Sequence, residues 1–176
     1  MQPIPPGMGF YQPEDNTLRV PIGNYDQSKK FFSYVDSPIS RFDIDKQGRL
    51  VFVELTLPKY RWVVAELPPV SINKYPIEVA WVDFRKDIDS PAVLTDKNRT
   101  RMLIRLSNDL PVLNSPLAEF VSLQVSESGN ACGILIDAIV DDIAGRRLAG
   151  FRRDLRTIAA SASQSASTLN PSPTVS

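Results

Sequence analysis

From Leu18 to Ile139 the apolar residues come in short runs cut by Pro, Gly, Asn and Asp, and β-branched and aromatic residues dominate those runs. Runs of that kind build strands, whereas a helix needs an apolar stripe sustained at a period of 3.6. Candidate strands are Leu18 to Ile22, Lys30 to Val35, Ile39 to Ile44, Arg49 to Leu57, Tyr60 to Leu67, Ile77 to Phe84, Arg101 to Leu106, Phe120 to Val125 and Ala131 to Ile139. The 15 prolines suit connections and edge strands, because proline cannot donate to a ladder. No long helix is expected before Ala138.

The chain also resembles itself. NTLRVPI (Asn16 to Ile22) lies over NRTRMLI (Asn98 to Ile104), matching Asn16 with Asn98, Arg19 with Arg101 and Ile22 with Ile104. Ser37-Pro38-Ile39 then lies over Ser115-Pro116-Leu117, and FDIDKQGRLVFVEL (Phe42 to Leu55) over LQVSESGNACGILI (Leu123 to Ile136), at nearly equal offsets. Each copy reads as strand, connection, Ser-Pro and a hairpin with a glycine in its turn. A unit this short buries too little surface to stand alone. The expected fold is therefore mainly β: two related hairpin-bearing units (16–57 and 98–139) in one pseudo-symmetric domain, with joining strands over 58–97.

The first hairpin, D-x-D-x-x-G-R-L-V-x-V-E-L, resembles the turn of a small uncharacterised bacterial β-domain family with the signature D-x-D-x-x-G-[RK]-[LIV]-V-G-[IV]-E-[IL]. The resemblance covers Phe42 to Leu57, with a fainter echo at Leu123 to Ile136. Phe52 stands where that family usually carries glycine, and Gly133 restores it in the second copy. The resemblance implies a small β fold and no activity.

After Ile139 the pattern changes. Ile143, Leu148, Phe151, Leu155 and Ile158 are spaced mostly by threes and fours, with Arg146, Arg147, Arg152, Arg153 and Arg156 between them. That spacing predicts an amphipathic helix over about 142–160, with Asp141 and Asp142 at its positive N-terminal end. The Ser/Thr-rich stretch 161–176 has nothing to bury and reads as a disordered tail, and the Pro-rich stretch 1–13 as an extended arm offering Phe10 and Tyr11 as docking points.

Histidine is absent, which removes Ser-His-Asp and Cys-His machinery, imidazole bases and His-ligated metals. Cys132 is the single cysteine, so neither an internal disulfide nor a cysteine-based zinc cluster can form. Lys+Arg and Asp+Glu both number 20, and no global field favours a polyanion. With no apolar leader at Met1 and no run near the roughly 20 residues of a membrane helix, a cytoplasmic protein is expected.

Asp43 to Glu54, DIDKQGRLVFVE, admits two readings. Asp43, Asp45, Gln47, Gly48, Leu50 and Glu54 follow the order of a calcium loop, with Asp43, Asp45 and Glu54 as ligands. The flanks are strongly β, however, and Pro58 would break the second helix of an EF-hand early, so an ordinary hairpin turning at Lys46-Gln47-Gly48 is the preferred reading. Arg146, Arg147, Arg152, Arg153 and Arg156 form the one dense basic patch and could grip a polyanion, with Lys97, Arg99, Arg101 and Arg105 in support. The plainer alternative is a solvated basic face, paired with Asp141, Asp142 and Asp154.

Tyr60, Trp62, Trp81 and Phe84 could stack bases or sugars, but core filling is the commoner use. Carboxylate pairs such as Asp43 with Asp45, or Glu78 with Asp83, could serve a glycosidase only at the right separation. Cys132 reads as a small buried residue. No catalytic residue, cofactor or metal is assigned. The leading expectation is a non-catalytic structural or protein-interaction module, self-association included; the alternatives are a polyanion binder through the arginine helix and a cation-dependent enzyme at Asp43, Asp45 and Glu54.

Overall fold

The structure, a computed structural model, describes residues 4–23, 33–45, 49–70 and 91–168. Its strands are β1 (Gly9–Gln12), β2 (Thr17–Pro21), β3 (Ser33–Asp36), β4 (Ser40–Ile44), β5 (Leu50–Thr56), β6 (Val63–Val64), β7 (Ala92–Thr95), β8 (Met102–Arg105), β9 (Pro111–Ala118), β10 (Val121–Ser126), β11 (Ala131–Ile136) and β12 (Ile139–Asp141). Helix α1 (Arg146–Thr168) closes the chain, and single 3-10 turns occupy Lys59–Arg61 and Ile143–Gly145. The fold is mainly β with one C-terminal helix. The expected strand Ile77 to Phe84, with Trp81, Phe84, Glu78 and Asp83, lies outside the described residues, as do the turn Lys46-Gln47-Gly48 and the tail beyond Thr168.

The strands make two six-stranded sheets, ordered β12-β1-β2-β5-β4-β3 and β6-β7-β8-β11-β10-β9. In both, the outermost pair is parallel, β12 with β1 and β6 with β7, and every other pair is antiparallel. Strand β6 follows the first sheet's strands in the chain but pairs in the second; β12 does the reverse. Each sheet thus takes one edge strand from the segment leaving the other.

Period-two alternation turns one face of each sheet inward. Leu18, Val20, Phe42, Ile44, Val53 and Leu55 of the first sheet and Met102, Ile104, Val121, Leu123, Ile134 and Ile136 of the second join one buried cluster. Full burial of each such side chain is worth roughly 1.5–3 kcal/mol, so the shared core ties the two sheets together. The outer face of the first sheet carries Phe10, whose ring meets Phe151 of α1 edge-on at 5.4 Å. The helix therefore packs on the outside of that sheet.

The two central hairpins match in detail. Their ladders shift register at the same place, between Asp43 and Ile44 in one and between Gln124 and Val125 in the other. The turns close through Asp45 N–H to Arg49 O at 3.0 Å and Ser126 N–H to Asn130 O at 2.9 Å. The Asp45 carboxylate also takes the Arg49 N–H at 2.9 Å, and the Ser126 hydroxyl takes that of Asn130 at 3.3 Å. A short polar side chain at this position closes the turn in both.

Six expectations need correction. The expected strand Tyr60 to Leu67 is a 3-10 turn over Lys59–Arg61 followed by the two-residue strand β6, and ladder register puts Leu103, not Arg101, at the place of Arg19. The Ser-Pro segments are not equivalent: Ser37 to Ile39 forms the β3–β4 turn, where the Ser37 hydroxyl accepts from Ile39 and Ser40, whereas Ser115 to Leu117 lie inside β9. Residues 9–12 are a buried strand rather than a free arm, and Pro5 O and Gly7 O accept from Glu119 and Phe120. The run Ala131 to Ile139 breaks at Asp137, whose carboxylate turns to Arg101, and continues as β12 in the other sheet. Helix α1 continues past Ala160 to Thr168, since Ala, Ser and Gln are compatible with helix even at exposed positions such as 161–165.

Candidate functional site

Alternation places Arg19, Glu54, Arg41 and Asp43 on the outer face of the first sheet, the face α1 partly covers. Register aligns Arg19 with Glu54 across β2–β5 and Glu54 with Arg41 across β5–β4, a row of alternating charge. Glu54 Oε2 lies 3.5 Å from Arg19 Nε and 3.9 Å from Arg41 Nη2, and Asp43 Oδ1 lies 3.3 Å from Arg41 Nε. Beyond the row, Arg19 donates to Asp15 Oδ2 at 3.0 Å and to the side-chain amide oxygen Oε1 of Gln12. Burial works to raise the Asp15 carboxyl, but the Arg19 guanidinium and the Thr17 donors outweigh it and hold it below the ordinary aspartate value.

Gln12 joins this row to the helix. Its Nε2 donates to Asp142 Oδ2 at 3.3 Å, while fully buried Asp142 accepts the Arg147 N–H at 2.6 Å and the Leu148 N–H at 3.2 Å. Those amides have no partner inside the helix, and a carboxylate there satisfies them and complements the positive helix end. Ala144, with φ 56°, and Gly145, with φ 69°, bend the chain so that Asp142 can reach forward past them.

Between α1 and the sheet lies a cleft of about 230 Å³ lined by Gln12, Arg19, Phe52, Glu54, Gly145, Leu148, Ala149 and Arg152. Arg152 Nε is shielded from solvent there and has no hydrogen-bond partner. An orphaned guanidinium N–H is uncommon in a folded protein and asks for an acceptor.

The helix arginines divide. Arg146, Arg147, Arg153 and Arg156 are exposed, and Arg152 is half-buried at the cleft. Of the expected partners, Asp141 pairs with Lys59 Nζ at 2.7 Å and Asp142 caps the helix, while Asp154 is exposed and makes no ion pair among the described residues. Of the supporting basic residues, Arg101 is clamped between Asp137 and Pro68 O, and Arg99 Nε donates to Lys59 O at 3.2 Å; Lys97 and Arg105 are exposed.

Asp43 and Glu54 share a face and meet through Arg41, while Asp45 sits in the turn with Arg49 Nε at 2.8 Å. Among the described residues, no three acidic or cysteine side chains group as a metal site would require. Trp62 is buried, edge-on to Tyr11 at 5.3 Å and donating to Leu57 O at 3.1 Å, whereas Tyr60 is exposed. Cys132 is buried, and burial, with the Asp109 charge adding, raises its thiol pKa.

Sequence reasoning put Asp142 at the helix start but missed Gln12, Asp15 and Arg19. The available signal was Arg19 itself, a charge between inward-facing Leu18 and Val20, which demands a partner on the outer face; naming Glu54 required the strand order. Neither a family model nor a curated protein matches the chain.

Proposed function

We propose that the protein is a non-catalytic interaction module that docks a protein partner through the projecting half of α1. The observation that carries this reading is that every residue from Arg156 to Ser165 is exposed, although all are helical. The apolar spacing continues from buried Leu148 through Phe151 and Leu155 to Ile158, which is 64% exposed, and then Ala162. A few turns of helix are marginal in water without a packed face. A partner with an apolar groove for Ile158 and Ala162 and an acidic rim for Arg153 and Arg156 would supply one.

In this reading the paired sheets are a rigid platform. Shared strand order, shared bulge and shared turn closure support two related units. Photo-cross-linking from position 158 in extract of the native host tests the docking. One protein adduct is expected, competed by the intact chain but not by a chain lacking residues 157–176; adducts that ignore that competition would overturn the reading.

A second reading, polyanion binding, draws on the exposure of Arg146, Arg147, Arg153 and Arg156, none of which is ion-paired among the described residues. It requires binding to single-stranded or duplex nucleic acid that weakens with salt, its log–log slope dropping by about one for each arginine neutralised. Binding that survives neutralisation of all four would exclude it.

A further inference from the structure

We propose that the cleft between α1 and the first sheet binds a small zwitterion of the amino-acid class, its carboxylate on Arg152 and its ammonium on Glu54. Both residues line the cleft, yet they make no ion pair with each other. Arg152 Nε is a buried donor without an acceptor. Arg19 and Arg41 approach Glu54 at Oε2 only loosely, at 3.5 and 3.9 Å. A ligand carrying both charges would meet the outer nitrogens of the Arg152 guanidinium and the Glu54 carboxylate, and charge-assisted bonds of this kind are the strong ones.

The remaining walls suit the body of such a molecule. Phe52, Leu148 and Ala149 offer apolar surface, and Gln12 and Arg19 complete the rim. A volume of about 230 Å³ corresponds to roughly seven or eight waters at their liquid volume, room for a molecule of roughly ten heavy atoms.

The second sheet supplies an internal control. Where Arg19 opposes Glu54 and Glu54 opposes Arg41, Leu103 opposes Leu135 and Leu135 opposes Ser122. The same strand arrangement therefore accommodates an apolar pair here. Partly buried charges carry a desolvation cost that leucines avoid, so the charged set on the first sheet needs a reason other than the fold.

The test is ligand-observed saturation-transfer NMR and thermal melting of the full chain with glycine, leucine or phenylalanine, and with acetate or methylammonium as single-charge controls. At least one amino acid is expected to give saturation transfer and a concentration-dependent rise in melting temperature at millimolar levels, with neither control matching it. Arg152→Gln should weaken the effect about tenfold or more while the unliganded melting temperature holds, and Arg152→Lys should recover part of it. No response to any amino acid up to tens of millimolar, an equal response to acetate, or a response untouched by Arg152→Gln would overturn the proposal.

Discussion

Arg19 stands opposite Glu54 on adjacent strands, its Nε 3.5 Å from the carboxylate, at the place where Leu103 stands opposite Leu135 in the other sheet. One strand arrangement thus accepts either a charged or an apolar cross-strand pair. Removing one charge should be costly and removing both much less so, because a single deletion strands its partner.

The expected values follow. Glu54→Leu alone leaves Arg19 and Arg41 without their shared carboxylate and should cost about 1–3 kcal/mol in denaturant unfolding. The double variant Arg19→Leu/Glu54→Leu should return to within about 1 kcal/mol of the parent. Additive losses would show that the two residues do not act as a pair.

Asp142 accepts two amide protons from the first turn of α1 and a third contact from Gln12. Replacing it with alanine should cost about 1–2 kcal/mol and lower helicity by circular dichroism, with the strand signal unchanged. An Asp142→Ala protein with parental stability and helicity would mean that packing of Leu148 and Phe151 alone holds the helix.

Arg101 Nη2 lies 2.7 Å from Asp137 Oδ1 and 2.6 Å from Pro68 O, joining the residue just before β8, the break between β11 and β12, and the segment after β6. Asp137 is 7% exposed. Arg101→Met should therefore destabilise by about 3 kcal/mol, because it leaves a buried carboxylate unpaired. The Arg101→Met/Asp137→Leu double variant should recover much of that loss.

Stability should fall in acid through Asp96 and Asp15. Burial works to raise the Asp96 carboxyl, but the Arg101 and Thr100 N–H groups and the Thr100 hydroxyl outweigh it and leave it lowered. A carboxylate whose folded pKa lies below its unfolded one contributes stability that is complete above the unfolded value and is lost as pH falls through the folded one. Melting temperature should hold from neutrality to about pH 5 and decline below about pH 4. Asp96→Asn should lower the neutral-pH value and flatten the acid decline; an unchanged profile would assign that decline to other groups.

The sequence made the strands and the helix legible because alternation and the 3.6 period are local. Leu18 to Ile22, Phe42 to Leu55 and Leu148 to Ile158 needed no tertiary information. Strands β1, β7, β9 and most of β12 were hidden, since Phe10, Leu94, Leu113 and Val140 take their pairing from tertiary neighbours rather than from a local apolar run, whereas β6 is the short part of the expected strand Tyr60 to Leu67 that survives. The hairpin reading of Asp43 to Glu54 rested on its β flanks, which are β4 and β5. The candidate site was mostly illegible for the same reason: Gln12, Arg19, Glu54 and Arg152 meet only after the edge-strand exchange brings β12, and α1 behind it, back to the first sheet. The extension of α1 to Thr168 was missed because burial served as the criterion for helix, and residues 161–165 are all exposed.

The most direct measurement is amide hydrogen exchange along α1 in the purified protein. If the far half of the helix is a docking element with no site on its own chain, amides of residues 146–156 should exchange slowly and those of 157–168 near the unprotected rate. Equal protection along the whole helix would show that the far half is held within the chain, and would contradict the account.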